Sequence, residues 1–284
     1  MKQDTLRRWV RLLLILVGVG ILAYPSVSEY LSQRNSSRAT ASYDDAVLQM
    51  ENARREELLA QAQAYNRQLA GSSPAAGSDA TALTPESYWD LLNVDATGMM
   101  GYLELPRLNT TIPIYHGTEE DVLQVGIGHL QTTSLPVGGP STHAALSGHR
   151  GLPSRSLFTG LDQMEVGDHF YITILGQTLC YTVDQILTVL PHEMDALAIA
   201  PGEDYVTLIT CTPYGINSHR LLVRGVRTAY DPQQRETERE TQASFWQSLP
   251  MQYRHLLLGA AVLAGVLLLR ALVLAGIKGR KRRA

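Results

Sequence analysis

Seven short runs rich in β-branched and aromatic residues follow one another between Gly101 and Thr228, with Gly and Pro residues between them. In chain order they read GYLELP, TIPIYHG, HAALSGH, HFYITIL, TLCYTVDQILTVL, YVTLITC and RLLVRGVRT. Short runs of this composition, separated by turn residues, are typical of β-strands. Seven or eight strands in a segment of this length predict a mainly β domain, either a closed barrel or a sandwich.

Two apolar runs flank this domain. Leu12–Ala23 can be a signal peptide or a short anchor, and the absence of a small-residue cleavage site after it favours an uncleaved anchor. Leu256–Ile277 is long enough as a helix to span a bilayer. The second run contains one charge, Arg270, which lies near its basic end and can snorkel to the interface. Clusters of basic residues flank the outer ends of both runs, and positive flanks stay in the cytoplasm. Both termini are therefore predicted to be cytoplasmic, with residues 30–250 extracytoplasmic. The basic residues are Lys2, Arg7, Arg8, Arg11, Lys278, Arg280, Lys281, Arg282 and Arg283.

The part between the two runs is acidic. From Tyr30 to Pro250 there are 13 Arg, no Lys and 25 Asp or Glu, which gives a net charge of −12. Nucleic-acid binding requires clustered Lys and Arg, so this balance argues against nucleic acid as a partner. The three lysines of the chain, Lys2, Lys278 and Lys281, all lie in the predicted cytoplasmic flanks.

The patterns divide the chain into five parts. Residues 1–29 hold the N-terminal flank and anchor, 30–90 a helical segment and a long loop, 91–230 the β domain, 231–255 a linker, and 256–284 the C-terminal membrane helix and tail. Residues 38–70 are rich in Ala, Leu, Glu, Gln and Arg, which predicts a helix that ends at Gly71. That helix can be a stalk or can lie on the domain. The loop at 71–85 is long enough to be functional or mobile.

The two cysteines have different settings. Cys211 ends the run YVTLITC, and Pro213 soon after it cannot continue a central strand. A thiol at such a strand end can reach a cleft while the strand holds it in place. Cys180 lies inside a strand, where a small apolar residue would serve equally well, and is interpreted as core packing. The alternative is a Cys180–Cys211 disulfide, which an extracytoplasmic location permits.

A thiol nucleophile needs an acid–base partner, usually histidine. Of the eight histidines, His149 is the strongest candidate because it ends the run HAALSGH at a Gly-flanked turn, the same strand-end setting as Cys211. His143 begins that run and His219 precedes Arg220, and both rank lower. The sequence has no spacing typical of metal ligands and no Gly-rich phosphate loop, so neither a metal nor a cofactor is expected.

Arg220 opens the strand that follows Cys211. If the two strands form a hairpin, Cys211 and Arg220 face each other across its mouth. A fixed guanidinium there can stabilise an oxyanion or bind a substrate carbonyl. The alternative is a surface ion pair with one of the many acidic residues.

The runs SGHRG and TLITCTPYGINSHRLLVRG, together with LLNV, GYLELP, IPIYHGT, GHLQTTSLPVGG and LFTGLDQMEVGD, resemble the sortase family of Gram-positive bacteria. The likeness runs from about Leu91 to Thr228, and it is greatest to class C, the pilin-polymerising group. It implies an eight-stranded β-barrel with an N-terminal helical extension and two membrane helices. It also implies a cysteine transpeptidase in which Cys211 is the nucleophile, His149 the acid–base and Arg220 the oxyanion stabiliser.

The resemblance also implies the partners. The substrate would be a Leu-Pro-x-Thr-Gly-like sorting signal on another protein, cleaved after Thr through a thioester, and the acceptor a lysine of the next pilin.

Class C members often carry a lid with an Asp-Pro-aromatic motif before the barrel. The matching place here reads Asp79, Ala80, Thr81, so the aspartate is present and the proline and aromatic residue are not. Two alternatives remain: a sortase that anchors proteins to the cell wall, and a non-catalytic surface domain cross-linked by a Cys180–Cys211 disulfide.

Overall fold

The computed structural model describes residues 2–71, 88–95, 97–152, 157–242 and 260. Eight strands close into a barrel in the order β1-β2-β3-β4-β7-β8-β6-β5. This confirms the mainly β prediction and decides between the two architectures in favour of the barrel. The strands are β1 Met99–Leu105, β2 Thr110–His116, β3 Ile127–His129, β4 Thr142–Ser147, β5 His169–Ile174, β6 Gln177–Val189, β7 Asp204–Thr212 and β8 His219–Thr228.

Four α-helices lie within the described residues: α1 Lys2–Gln49, α2 Asn52–Gly71, α3 Glu120–Val125 and α4 Pro232–Gln242. The short helix α3 joins β2 to β3, which run parallel, because a parallel pair needs a crossover connection. All seven runs predicted as strands belong to the barrel. The additional strand, β3, has three residues and is too short to give a periodic signal in the sequence.

Alternate residues along each central strand face the barrel interior. On β7, Val206 and Leu208 are buried in the main core, together with Leu146 of β4 and Val223 of β8. On β7, the residues that alternate with Val206 and Leu208 therefore face the outer side of the barrel. Cys211 belongs to this outer set, as the alternation in its strand predicts.

Helices α1 and α2 lie on the barrel. The buried Tyr43 of α1 donates its hydroxyl to Met100 O at 2.7 Å and accepts from Leu175 N–H at 2.9 Å. The buried Asn66 of α2 donates to Leu135 O at 2.9 Å and accepts from Leu135 N–H at 2.7 Å. Removing either side chain would leave buried backbone groups unpaired, at a cost of about 1–3 kcal/mol each. The helix predicted over 38–70 is confirmed, with a break between α1 and α2, and it lies on the domain.

The segment predicted as a linker, 231–255, begins with α4. Arg235 of α4 pairs with the buried Glu104 of β1 at 2.7 Å, and Tyr171 of β5 donates its hydroxyl to Glu238 at 2.7 Å. Buried acids are stable when paired and hydrogen-bonded in this way. Residues from Arg239 onward form a separate unit, of which 239–242 and 260 are described.

The predicted C-terminal membrane helix, Leu256–Ile277, lies outside the described residues except for position 260. The N-terminal apolar run, Leu12–Ala23, is part of α1. Within the described part of the chain, no helix combines the length and the apolar character that crossing a membrane requires.

We predict that Gly225→Ala lowers the free energy of unfolding by about 1–3 kcal/mol, because it overpacks the barrel interior. A Cβ at Gly225 would lie 2.5 Å from Phe170 Cε1 and 2.9 Å from Tyr181 Cβ, and these two fully buried rings are stacked against each other. Urea denaturation measures the change. Gly71→Ala is the control, since nothing lies within 4 Å of its added Cβ. Equal stability of both variants would contradict the prediction.

Candidate active site

The end of β7 presents Cys211 on the outer side of the barrel. β7 and β8 pair antiparallel, with Cys211 opposite Arg220 and Thr212 opposite His219. The predicted hairpin is confirmed. Directly opposed residues on one face of a sheet have Cβ atoms about 4.5–5.5 Å apart, so the Cys211 and Arg220 side chains leave the sheet side by side. Cys211 is a free thiol and is partly exposed.

His149 comes to the same level of the barrel through a different strand pair. β4 and β7 run parallel, and Ser147 lies opposite Ile209. The pairing continues one residue beyond β4, where Gly148 N–H donates to Ile209 O at 3.0 Å and Thr210 Oγ1 donates to Gly148 O at 2.8 Å. Two residues past the Ser147–Ile209 pair, His149 is level with Cys211. A parallel ladder therefore brings together two residues that are far apart in the sequence.

The His149 imidazole is in a polar but weakly bonded setting. Its side chain is 27% exposed, and its Nε2 lies 3.4 Å from Glu120 Oε2. This contact is not a hydrogen bond, and Nε2 is buried with no hydrogen-bond partner among the described residues. The Glu120 carboxylate is 72% exposed, so solvent screens its attraction for the imidazole. The ring is thus not committed to a structural hydrogen bond at this nitrogen.

Arg220 is held by backbone carbonyls. Its Nη1 donates to His219 O at 3.1 Å and to Asn217 O at 3.3 Å, both in or beside the connection from β7 to β8. No carboxylate of the described residues lies within ion-pair distance of its guanidinium. In the described part of the chain, Arg220 is therefore not the surface ion pair that the sequence left open. Its charge remains available to an anionic or carbonyl group beside Cys211.

Cys180 is far from this site. It lies opposite Thr228 in the β6–β8 ladder, whereas Cys211 lies opposite Arg220 at the other end of β8. Eight residues of strand separate the two levels, roughly 26 Å at 3.3 Å per residue. A disulfide requires Cα atoms within about 7 Å, so the Cys180–Cys211 bridge is excluded in this fold. Cys180 is buried, accepts a hydrogen bond from Thr228 Oγ1 at 3.4 Å, and its interpretation as core packing fits this position.

A second apolar cluster covers the outer face next to Cys211. We call it the outer cluster; its buried members are Ala145, Leu197, Ile209 and Leu222, and Leu130, Leu187, Val189 and Ala196 pack against them. These residues come from β4, β6, β7, β8 and the connections that follow β3 and β6. The sequence did not reveal this cluster, because each strand contributes one or two outward residues and the barrel alone brings them together.

His143, a weaker candidate in the sequence, has a structural role. Its Nδ1 lies 3.0 Å from Ala198 O and its Nε2 lies 2.7 Å from Thr207 Oγ1. Since a carbonyl only accepts, Nδ1 carries the proton and Nε2 accepts from the hydroxyl. Burial lowers the pKa of His143, which keeps the ring neutral. The side chain therefore ties the β6–β7 connection, one wall of the outer cluster, to the barrel.

The last candidate, Asp79, lies outside the described residues. The described residues also contain no group of His, Cys, Asp and Glu side chains arranged to hold a metal ion.

The barrel and its site can now be compared with known proteins. A family model described as the sortase domain matches residues 103–228. The crystal structure of sortase C1 from Streptococcus agalactiae is 47% identical, with a TM-score of 0.63, and the match covers 68% of this chain and 100% of that chain. The chain belongs to the sortase family. Sortases are cysteine transpeptidases, and the predicted resemblance is confirmed.

Two further proteins are similar to this chain. Sortase C of Streptococcus pneumoniae, whose structure addresses catalysis and pilin substrate specificity, is 45% identical with a TM-score of 0.60, covering 68% of this chain and 97% of that one. Sortase A of Streptococcus agalactiae serotype III (strain NEM316) is 29% identical over 117 residues, 40% of this chain. The match spans 47% of that curated relative, about half its length. The two solved structures are class C sortases, the group that the sequence indicated.

We predict that the native protein reacts rapidly with one equivalent of a thiol reagent and that the unfolded protein reacts with two. Cys211 is partly exposed, whereas burial raises the pKa of the Cys180 thiol and keeps it protonated and shielded. Titration with Ellman's reagent, before and after addition of guanidinium chloride, gives both counts. Cys211→Ser should abolish the rapid reaction. A protein with no titratable thiol in either state would contain the disulfide and contradict the fold.

Proposed function

We propose that this sortase is a membrane-anchored cysteine transpeptidase that cleaves a Leu-Pro-x-Thr-Gly-like sorting signal between Thr and Gly and transfers the acyl group to a pilin lysine. The observation that carries the proposal is the register of three strands. This register sets Cys211 opposite Arg220 and places His149 at the same height along the strands as Cys211. A thiol, an imidazole and a cation at one strand end are the groups that acyl transfer through a thioester needs.

In the first half-reaction the Cys211 thiolate attacks the carbonyl carbon of the substrate Thr. A C–S bond forms, and the carbonyl oxygen becomes an oxyanion to which Arg220 donates hydrogen bonds. The bond between Thr and Gly then breaks, and His149 gives its proton to the departing glycine amine. The products are a thioester on Cys211 and a new amino terminus on the released peptide.

In the second half-reaction a lysine amine of the acceptor attacks the thioester. His149 takes the proton from the amine, the new C–N bond forms, and the C–S bond breaks to restore the Cys211 thiolate. Arg220 again stabilises the oxyanion. The imidazole nitrogen that exchanges protons must not be occupied by a structural hydrogen bond, and His149 Nε2 meets this condition among the described residues.

The partly exposed members of the outer cluster supply a surface for the apolar part of the sorting signal. Leu187 and Val189 of β6 lie beside β8, with Leu187 opposite Leu222 and Val189 opposite Arg220. An extended peptide whose Thr carbonyl reaches Cys211 would set its Leu and Pro over Leu187 and Val189. Burying a Leu side chain contributes about 1.5–3 kcal/mol. That is enough to select a signal with apolar residues at these positions.

The acceptor amine comes from another protein. No lysine occurs between Tyr30 and Pro250, so the exterior domain offers no ε-amine of its own to the thioester. The anchors predicted at Leu12–Ala23 and Leu256–Ile277 would hold the enzyme at the membrane, where secreted pilins emerge. The likeness to class C structures supports a pilin as the acceptor.

We predict that Cys211→Ala abolishes cleavage of a sorting-signal peptide while Cys180→Ala retains most activity, because only the first removes the nucleophile. The release of a fluorescent leaving peptide measures cleavage, and mass spectrometry of products formed with a pilin-derived lysine peptide measures transfer. Transfer to lysine supports the pilin role. Transfer to a cell-wall peptide in its place would identify the wall-anchoring alternative. Cleavage by Cys211→Ala would disprove the nucleophile assignment.

We predict that Arg220→Lys lowers kcat about a hundredfold, the loss of roughly 3 kcal/mol that removal of one oxyanion donor brings. An ammonium lacks the planar fork of donors that a guanidinium directs at an oxyanion. Arg54→Lys, at an exposed pair on α2, is the matched control and should keep the wild-type rate. Steady-state kinetics with the same peptide decide, and wild-type turnover in Arg220→Lys would remove Arg220 from the mechanism.

A further inference from the structure

Arg150 connects the two halves of the proposed active site. It directly follows His149, and its side chain is 10% exposed. Its Nη1 donates to Thr212 Oγ1 at 3.2 Å, and Thr212 directly follows Cys211. One guanidinium thus links the residue after the proposed acid–base to the residue after the proposed nucleophile. The chemistry described above gives Arg150 no part.

A second contact fixes the guanidinium. Arg150 Nη2 lies 2.7 Å from Asp162 Oδ2, and Asp162 is in a short 3₁₀ helix, Leu161–Gln163. The Asp162 carboxylate is 48% exposed, so the cation is neutralised at the edge of the barrel. Arg150 is therefore held at one end by an acid and reaches Thr212 with the other.

The segment that carries Asp162 is itself bonded to the His149 turn. Phe158 N–H donates to His149 O at 3.2 Å, and Gly151 N–H donates to Thr159 Oγ1 at 3.1 Å. Phe158 is fully buried in the main core. Packing of Phe158 in the core thus fixes the backbone on either side of Arg150. The hydrogen bond from the guanidinium to Thr212 links this fixed backbone to the end of β7.

This link lies where the strand pairing stops. The backbone bonds between β4 and β7 end with Gly148, and His149 stands beyond the last of them. Residues beyond the end of a ladder are less constrained than residues within it. The hydrogen bond from Arg150 to Thr212 extends the connection between β4 and β7 beyond Gly148, next to His149.

The cost of burying Arg150 indicates a geometric role. The Asp162 carboxylate is half exposed, so solvent screens the ion pair and the pair by itself contributes little to stability, while the guanidinium loses most of its hydration. Arg150 Nε is buried and has no hydrogen-bond partner among the described residues. What an arginine supplies here is a rigid fork that joins two groups at once.

We propose that Arg150 is a positioning residue for transpeptidation: by bridging Asp162 and Thr212 it holds His149 in proton-transfer geometry with Cys211. The inference rests on the roles proposed for Cys211 and His149. A misplacement of about 1 Å can lower a rate about a hundredfold. The side chain of Arg150 bonds to Thr212 and Asp162, neither of which belongs to the outer cluster, so its loss acts on kcat and leaves KM for the peptide unchanged.

The test is a double-mutant cycle with Arg150→Gln and Thr212→Val in the full chain. Each single variant should lower kcat about tenfold to a hundredfold at unchanged KM. The double variant should be no slower than the slower single variant, since both remove one interaction. Arg150→Lys should recover only part of the rate, because an ammonium reaches Asp162 or Thr212 but does not bridge them. Thr212→Val keeps the side-chain shape and continues the test if Arg150→Gln does not fold.

Arg107→Gln is the matched control. Arg107 also bonds to this segment, donating to Gln163 O at 3.0 Å and pairing with Glu165 at 2.7 Å, two residues that follow Asp162 in the chain. It should retain the wild-type kcat. Equal losses in Arg107→Gln and Arg150→Gln, multiplicative losses in the cycle, or wild-type kcat in Arg150→Gln would each overturn the inference. Activity in Cys211→Ala would instead overturn the proposed function, so the two failures are distinct.

Discussion

The parallel pairing of β4 with β7 is the constraint on which the site depends. Antiparallel hairpins bring together residues that are close in sequence, as β7 and β8 do for Cys211 and Arg220. His149 is more than sixty residues from Cys211, and a parallel ladder with Ser147 opposite Ile209 sets the two at one level. That ladder exists because β5 and β6 carry the chain around the other side of the barrel before β7 returns. Closure of the barrel thus determines the geometry of the three candidate residues.

The register of β7 determines which of its side chains face the core and which face the outer side of the barrel. The side-chain period of a strand is two, so a shift of one residue would turn Cys211 into the core and expose Leu208. The main core holds Val206 and Leu208 with almost no exposure, and this burial makes such a shift unfavourable. The outward set then combines Cys211 with the apolar Ile209 and its neighbours. The same alternation places a partly exposed thiol next to an apolar cluster on the outer side of the barrel.

The sequence predicted the local features well and the long-range ones less well. The hairpin of Cys211 and Arg220 followed from one strand–turn–strand pattern, and its register agrees with the structure. His149 ranked first among the histidines only on its strand-end setting, because nothing local encodes a partner sixty residues away. β3 gave no signal in three residues. The outer cluster gave none either, since its members share a surface only after the barrel closes.

Burial sorts the histidines in a way that the sequence does not. His129 lies against Tyr88 Oη at 3.0 Å and Ser134 O at 2.8 Å, and burial lowers its pKa to about 4. His143 is likewise neutral, with one ring nitrogen on a carbonyl and the other on a hydroxyl. Rings committed at both nitrogens cannot exchange a proton with a substrate without breaking the fold. His149 keeps a nitrogen without a hydrogen-bond partner among the described residues, which is what the acid–base role proposed for it requires.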